Sequence, residues 1–192
     1  VLEAALARLL NRQKTVLAFE GPGGPVQIEY VPKPALILAG RGAIFRTTAQ
    51  LAAQMDFELH LASPDLEDLA SLKVLKPATK QPMTTPSARI DLPIDAYSAV
   101  LLVFHDHEWE QAILMHAAQQ HPFFIGALGS RRTQAMRIER LKHAGLGETE
   151  CGQIHGPIGL VPSLRNASLI AVSALAEITA NLPPSQIRLS SS

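Results

Sequence analysis

The chain has 192 residues, of which 47% are hydrophobic and 18% are charged. This length is enough to bury a full core, and the composition is typical of a globular protein and excludes a disordered chain. The 17 basic and 17 acidic residues cancel, so neither nucleic acid nor a membrane surface is expected as a partner.

The first 33 residues predict a small unit made of a helix and a β-hairpin. Apolar residues recur at helical spacing over Leu2–Leu10. Two strand-like runs follow, Thr15–Glu20 and Val26–Val31, and the glycine-rich turn between them is typical of a hairpin. We interpret residues 1–33 as a separate N-terminal piece, which could be the remnant of a first domain, and residues 34–192 as the main domain.

From residue 34 onward, strands alternate with helices. The predicted strands are Ala35–Ala39, Phe57–Ala62, Ala99–Phe104 and Phe123–Gly126, and the predicted helices cover about 43–55, 108–120, 129–143 and 167–180. The proline-rich segment Leu66–Asp95 is expected to be a loop, with a short strand at Leu72–Leu75. This alternation predicts an α/β, Rossmann-like parallel sheet with helices on both faces.

Unusual polar side chains follow the predicted strands, at the point where each strand ends. They are Gly40-Arg41-Gly42, Ser63 with Asp65, His105-Asp106-His107 and Gly129-Ser130-Arg131-Arg132. The carboxyl ends of parallel strands meet at one edge of the sheet, and ligands bind there. We therefore expect these residues to form one cofactor-binding crevice. The pattern assigns no catalytic residue.

The loop Gly40-Arg41-Gly42 resembles the start of a dinucleotide-binding fingerprint, in which a phosphate meets backbone amides at a helix start. The fingerprint is incomplete, because Phe45 stands at its third small position and Ser63 stands where an acidic residue would bind the ribose. NAD(P) is therefore disfavoured. Two hypotheses stay open for this loop: a phosphate site, or a tight turn without a ligand.

The run His105-Asp106-His107 offers two imidazoles and a carboxylate, which can transfer protons or hydrogen-bond to a cofactor. In an extended segment the two histidines point to opposite sides, and no third ligand has suitable spacing, so no metal site is expected. The alternative is a histidine that merely ends a strand.

Ser130 is expected to cap a helix whose first turn carries Arg131 and Arg132. Two cations at this end oppose the helix dipole, by roughly 0.3–1 kcal/mol each when exposed. A bound anion would reverse the sign of that effect. The pattern therefore favours an anion-binding helix start, and two solvated arginines are the alternative.

From Ala35 to about Ala180 the chain resembles the Rossmann-like domain of the XdhC/CoxI family, the accessory proteins of molybdenum hydroxylases. The matching motifs are Gly40-x-Gly42, His105-Asp106-His107, Phe124-Ile125-Gly126, Gly129-Ser130-Arg131-Arg132, Pro157-Ile158-Gly159-Leu160, Ala171-Val172-Ser173 and Ala176-Glu177-Ile178. The chain departs from the family at Ala43, where histidine is common, at Phe45, where a small residue is common, and at Ser63, where aspartate is common.

The resemblance implies a chaperone that binds molybdenum cofactor (molybdopterin) and assists its insertion into a xanthine dehydrogenase-type apoenzyme. It also implies a cysteine desulfurase as a second partner, and a homodimer is open. Cys151 is the single cysteine, which fits a reducing, cytoplasmic location, and a role for it in sulfur transfer is open. The alternatives are an NAD(P)-dependent oxidoreductase and a degenerate Rossmann scaffold that acts only as a protein–protein adaptor with an empty crevice, for which an intrusion by Phe45 is the best support.

Overall fold

The computed structural model describes residues 2–22, 24–73, 75–87, 91–183 and 190–191. The chain divides into two compact units, Val1–Lys33 together with Leu182–Ser192, and Pro34–Asn181. Residues 182–192, which the sequence analysis assigned to the second domain, therefore group with the first unit. The assignment of domains stays a prediction. Within the described residues, no helix is both long enough and apolar enough to span a membrane.

The smaller unit contains the predicted helix and hairpin. Helix α1 covers Leu2–Leu10, and strands β1 (Thr15–Gly21) and β2 (Gly24–Tyr30) pair antiparallel. A two-residue strand, Ser190–Ser191, pairs with the other edge of β2. The prediction of a small N-terminal helix and hairpin is confirmed.

The larger unit is built on a six-stranded sheet in the order β5-β4-β3-β6-β7-β8. These strands are β3 (Ala35–Gly40), β4 (Glu58–Ser63), β5 (Thr79–Pro82), β6 (Ser98–Val103), β7 (Phe124–Ala127) and β8 (Ile154–His155). Every neighbouring pair is parallel, which confirms the Rossmann-like α/β fold. The chain order reverses between β3 and β6, which makes their carboxyl ends the topological switch point.

In the described part of this unit, the strands are accompanied by the α-helices α2 (Gly42–Ala52), α3 (Leu66–Ser71), α4 (Gln111–Gln119), α5 (Arg131–His143), α6 (Glu148–Gly152) and α7 (Ala167–Ala180), and a 3₁₀ helix covers His107–Trp109. Every residue of β3 and β6 is buried, as expected of strands covered on both faces. One core cluster joins Ile37, Val100 and Ile125 of the sheet to Ile113 and Leu114 of α4. Helix α7 packs against α2.

The segment between β4 and β6 differs from the sequence-based expectation. The predicted loop contains α3 and β5, and the strand predicted over Leu72–Leu75 is wrong, because the described residues 72, 73 and 75 lie outside any strand; residue 74 is outside the described residues. Helix α3 forms because the Asp65 carboxylate accepts hydrogen bonds from the backbone N–H groups of Glu67 and Asp68, at 2.8 and 3.2 Å. Strand β5 is an edge strand, where Pro82 is tolerated.

A buried, bidentate ion pair connects the start of α4 to α5. Arg137 Nε and Nη2 donate to the two carboxylate oxygens of Glu110 at 2.9 and 3.0 Å. The two residues are 4% and 1% exposed. Arg137 Nη2 also donates to the Leu128 carbonyl oxygen at 2.7 Å, which fixes the chain where β7 ends.

The same ion pair organises a wider polar network. Gln134 Oε1 accepts from Arg137 Nη1 at 2.5 Å, and Gln134 Nε2 donates to the carbonyl oxygen of Ile154 in β8 at 2.8 Å. His107 Nδ1 lies 3.2 Å from a carboxylate oxygen of Glu110. One arginine therefore links the ends of β6, β7 and β8.

We expect Glu110→Gln and Arg137→Met each to lower the free energy of unfolding by about 3–5 kcal/mol. Each variant removes one charge of the pair and leaves the other charge buried without its partner. Urea denaturation followed by circular dichroism measures this change. The double variant Glu110→Leu, Arg137→Met should be less destabilised than the sum of the two single variants, since no buried charge remains.

Lys142→Ala is the control, because Lys142, on the same helix as Arg137, forms an exposed ion pair with Glu148. Its denaturation midpoint should match that of the wild type. If the double variant lost as much free energy of unfolding as the two single variants together, the role assigned to the ion pair would be contradicted.

Candidate functional site

A cavity of about 510 Å³ opens at the carboxyl ends of β7 and β8. Three segments line it: residues 128–131 after β7, the loop around 157–164 after β8, and Ile170 and Ser173 of α7. This volume lies within the roughly 300–1,000 Å³ that small-molecule sites occupy. The cavity is therefore the candidate binding site of the described structure.

One wall of the cavity is the start of α5. Ser130 has an extended backbone and its Oγ accepts a hydrogen bond from the Thr133 N–H at 3.1 Å, which confirms that Ser130 caps this helix. Gly129 has φ +153°, and a Cβ there would lie 2.9 Å from the Thr133 side chain, so the turn requires glycine. Ser130 and Arg131 line the cavity, so the positive end of the helix dipole lies beside it.

The opposite wall is a loop held by α7. The Gly159 N–H donates to a carboxylate oxygen of Glu177, and the Val161 N–H donates to Ser173 Oγ at 2.8 Å. Gly159 has φ +107°, and a Cβ there would lie 2.7 Å from Ser173 Oγ. His155 Nδ1 lies 3.1 Å from the second carboxylate oxygen of Glu177. Ser173 and Glu177 of α7 thus fix this wall.

The cavity combines one cation with apolar walls. Among the described residues that line it, Arg131 is the charged one, and it is exposed; the others are serines, glycines and apolar residues such as Ile158 and Leu164. Arg132 is exposed on the next position of α5 but does not line the cavity. This environment suits a ligand with an anionic group and a less polar body, because the anion meets both Arg131 and the helix start.

The loop Gly40-Arg41-Gly42 lies at the same sheet edge but does not line this cavity. Its groups have partners within the protein: Arg41 forms an ion pair with Asp106, and the Gly42 N–H donates to the Asp68 carboxylate. The single crevice expected from the sequence is therefore divided, with the β3–β6 half separate from the cavity at β7 and β8. Phe45 is fully buried in the core and does not fill the cavity.

Ser63 and Asp65 serve the turn into α3. Ser63 is fully buried, and its Oγ accepts from the Asp65 N–H at 3.1 Å. The Asp65 side chain caps α3. Neither residue lines the cavity. Their assignment to a cofactor site stays a prediction.

The two histidines have different surroundings, but the segment is not extended as expected, because His107 begins a 3₁₀ helix over His107–Trp109. His105 is exposed and lies outside both the large cavity and the smaller one beside α4. His107 contacts Glu110 and, with Arg137, lines this smaller cavity of about 50 Å³. That space holds little more than a water molecule or two, so His107 belongs to the polar network between α4 and α5.

The contacts made by several residues of the site were not predicted from the sequence, although Ser173 and Glu177 lie in motifs that match the family. Arg137, Ser173 and Glu177 sit within helices, where the sequence gives no indication of which distant group each contacts. Glu110 could be placed only in a first helical turn, where a carboxylate is favourable in any protein. The proline and the two glycines of the 156–159 loop were the one usable signal for the wall held by α7.

Cys151 is structural in this fold. It is 4% exposed, and its Sγ lies 3.9 Å from the Leu146 carbonyl oxygen. Burial raises the pKa of the thiol, with Glu148 and Glu150 adding to the effect and Lys142 opposing it. A protonated, enclosed thiol is a poor nucleophile and a poor sulfur carrier.

We expect Cys151 to react with a disulfide reagent such as DTNB at least about tenfold more slowly in the native chain than in the same chain unfolded in urea. Between pH 7 and 9 the ratio of the two rates should narrow, because the unfolded thiol approaches full ionisation while the native thiol, whose pKa is raised by burial, still gains thiolate as the pH rises. Absorbance of the released thiolate gives both rates. Equal rates would show that the thiol is accessible in the native protein.

The sequence is similar to those of two curated bacterial proteins. The chain is 33% identical over 152 residues to the molybdenum cofactor insertion chaperone PaoD of Escherichia coli, covering 79% of this chain and 41% of that protein. It is 30% identical over 149 residues to one probable xanthine dehydrogenase subunit of Bacillus subtilis, covering 77% and 42%. The chain thus spans less than half the length of these relatives.

A solved structure and a family model agree with this grouping. The crystal structure of a xanthine dehydrogenase from Bacillus halodurans superposes with a TM-score of 0.68 at 16% identity, covering 94% of this chain and 63% of that one, which shows a shared fold. Residues 36–178 match the model of the XdhC Rossmann domain. The sheet, the motifs at its edge and this match together show that the chain belongs to the XdhC family.

Proposed function

We propose that this chain binds molybdenum cofactor in the cavity at the ends of β7 and β8 and assists its insertion into a xanthine dehydrogenase-type molybdoenzyme. The observation that carries the proposal is the cavity itself, which joins the cationic start of α5 to a preformed wall of apolar residues. The similarity to a molybdenum cofactor insertion chaperone supports the choice of ligand.

The residues suit the chemistry of this cargo. Molybdopterin carries a phosphate, which fits the N–H groups of the α5 start and the guanidinium of Arg131, with Arg132 close by on the same turn. Its organic body fits the apolar side of the cavity, formed by residues such as Pro157 and Ile158. Gly129 and Ser130 set the backbone that receives the phosphate.

The lining also suits a carrier that must release its cargo. Among the described residues of the cavity, none is a cysteine, histidine or carboxylate that could ligate molybdenum. Binding then rests on charge-assisted hydrogen bonds of about 1.5–3 kcal/mol each. Such contacts hold an anionic ligand and still allow transfer to a site with stronger ligands.

A protein partner at the mouth of the cavity is supported by exposed apolar side chains. Leu160 and Val161, on the cavity loop, are 59% and 54% exposed. We propose that the molybdenum hydroxylase apoenzyme docks at this rim, in the cytoplasm. A cysteine desulfurase would act on the cofactor directly, because Cys151 is enclosed; a homodimer stays a prediction.

The test is retention of cofactor. The chain is mixed under anaerobic conditions with molybdenum cofactor released from a donor enzyme, desalted, and analysed for molybdenum and pterin. The wild type should retain both, and the double variant Arg131→Ala, Arg132→Ala should retain at least about tenfold less, since the charge-assisted contact of Arg131 and the neighbouring positive charge of Arg132 are lost.

The matched control is Arg140→Ala, Lys142→Ala, which removes the same charge from exposed positions at the other end of α5. It should retain cofactor as the wild type does. Equal retention by both double variants would refute the site, and no retention by the wild type would refute the function.

A further inference from the structure

The crevice between β3 and β6 lies where Rossmann folds receive the phosphates of a dinucleotide, at the start of the helix after the first strand. Here that position contains a carboxylate of the protein itself. We propose that Asp68 is a specificity-determining residue: it takes the place of a nucleotide phosphate and keeps the Gly40–Gly42 loop closed to NAD(P) and related dinucleotides.

The contacts of Asp68 are those of a bound anion. One carboxylate oxygen accepts the N–H of Gly42, the first residue of α2, and the other forms an ion pair with Arg46 one turn later. The Asp68 side chain is 1% exposed. A buried carboxylate at the start of an 11-residue helix gains from both the helix dipole and the arginine. The N–H that a phosphate would use is therefore already satisfied.

The glycines of the loop are explained without a ligand. A Cβ on Gly40 would lie 2.8 Å from the Val103 carbonyl oxygen, so the close approach of β3 to β6 requires glycine. Gly42 has φ +81°, which glycine adopts without strain. The third position of the fingerprint is Phe45, whose side chain is fully buried. The fingerprint residues thus serve packing and turn geometry.

A second internal ion pair, between Arg41 and Asp106, spans the same crevice, but it would hinder ligand binding less than Asp68 does. The two side chains are 39% and 45% exposed, so solvent screens the pair and a ligand could replace it. Asp68 differs because its charge is buried. A phosphate that approached the Gly42 N–H would meet this carboxylate at close range, and burial strengthens the repulsion.

The proposal goes beyond the cofactor function and does not depend on it, because Asp68 does not line the cavity at β7 and β8. It concerns the exclusion of dinucleotides from the Gly40–Gly42 loop. It also gives a physical reason why the oxidoreductase alternative is disfavoured, since the Asp68 carboxylate already occupies the phosphate position of the dinucleotide loop.

The experiment follows the Gly42 amide by ¹⁵N–¹H NMR while inorganic pyrophosphate, and separately NAD, is added. In the wild type this signal should stay in place at millimolar ligand. In Asp68→Ala it should shift, with an apparent Kd for pyrophosphate at least about tenfold lower than that of the wild type, because the competing charge is gone and Arg46 is freed. Asp68→Ser, which keeps a small polar side chain, is the second variant and decides the test if Asp68→Ala does not fold.

Asp106→Ala is the matched control: it removes one carboxylate from the same crevice and frees Arg41, but it leaves Asp68 on the Gly42 N–H. Its Gly42 signal should behave as in the wild type. The proposal is overturned if pyrophosphate shifts Gly42 in the wild type, or if a folded Asp68 variant binds no better than the wild type. Cofactor retention by the Asp68 variants should equal that of the wild type, so the two proposals fail separately.

Discussion

The bidentate ion pair between Glu110 and Arg137 is the contact on which the geometry of the cavity depends. It joins α4 to α5 and, through the Leu128 carbonyl, fixes the chain one residue before the Gly129 turn. A buried pair of this kind adds little net stability compared with apolar residues. Moving either residue out of place is strongly destabilising, however, because it leaves a buried charge without its partner. It therefore sets the position of the α5 start more strictly than apolar packing would.

The two halves of the sheet edge use charge in opposite ways. At β3 and β6 the protein supplies both signs, through Asp68 with Arg46 and Asp106 with Arg41, and its own anion occupies the helix start. At β7 and β8 the helix start faces an open cavity, and Arg131 is the charged lining residue among those described. A fold that usually holds a dinucleotide across both halves is thus suited here to a ligand in the second half.

This division fits membership of the XdhC family and the chaperone similarity better than it fits hydride transfer. A carrier needs a binding site that is preformed and that binds its ligand weakly enough to release it. The cavity wall held by Ser173 and Glu177 makes the site preformed. The exposed side chains of Leu160 and Val161 lie on the loop beside the cavity, which fits the proposed docking of a partner protein there. Phe45, whose intrusion would be the best support for the adaptor hypothesis, is fully buried and does not line the cavity.

The sequence by itself determined the fold class, the main strands, the Ser130 cap and the family, because these depend on local pattern: apolar runs, glycine turns and capping residues act within a few positions along the chain. It placed the polar motifs at one sheet edge for the same reason. Only the tertiary structure decided which motifs share a cavity. Asp68 reaches Gly42 across 26 positions and Arg137 reaches Glu110 across 27, and such pairings follow from how helices pack, which no local pattern encodes.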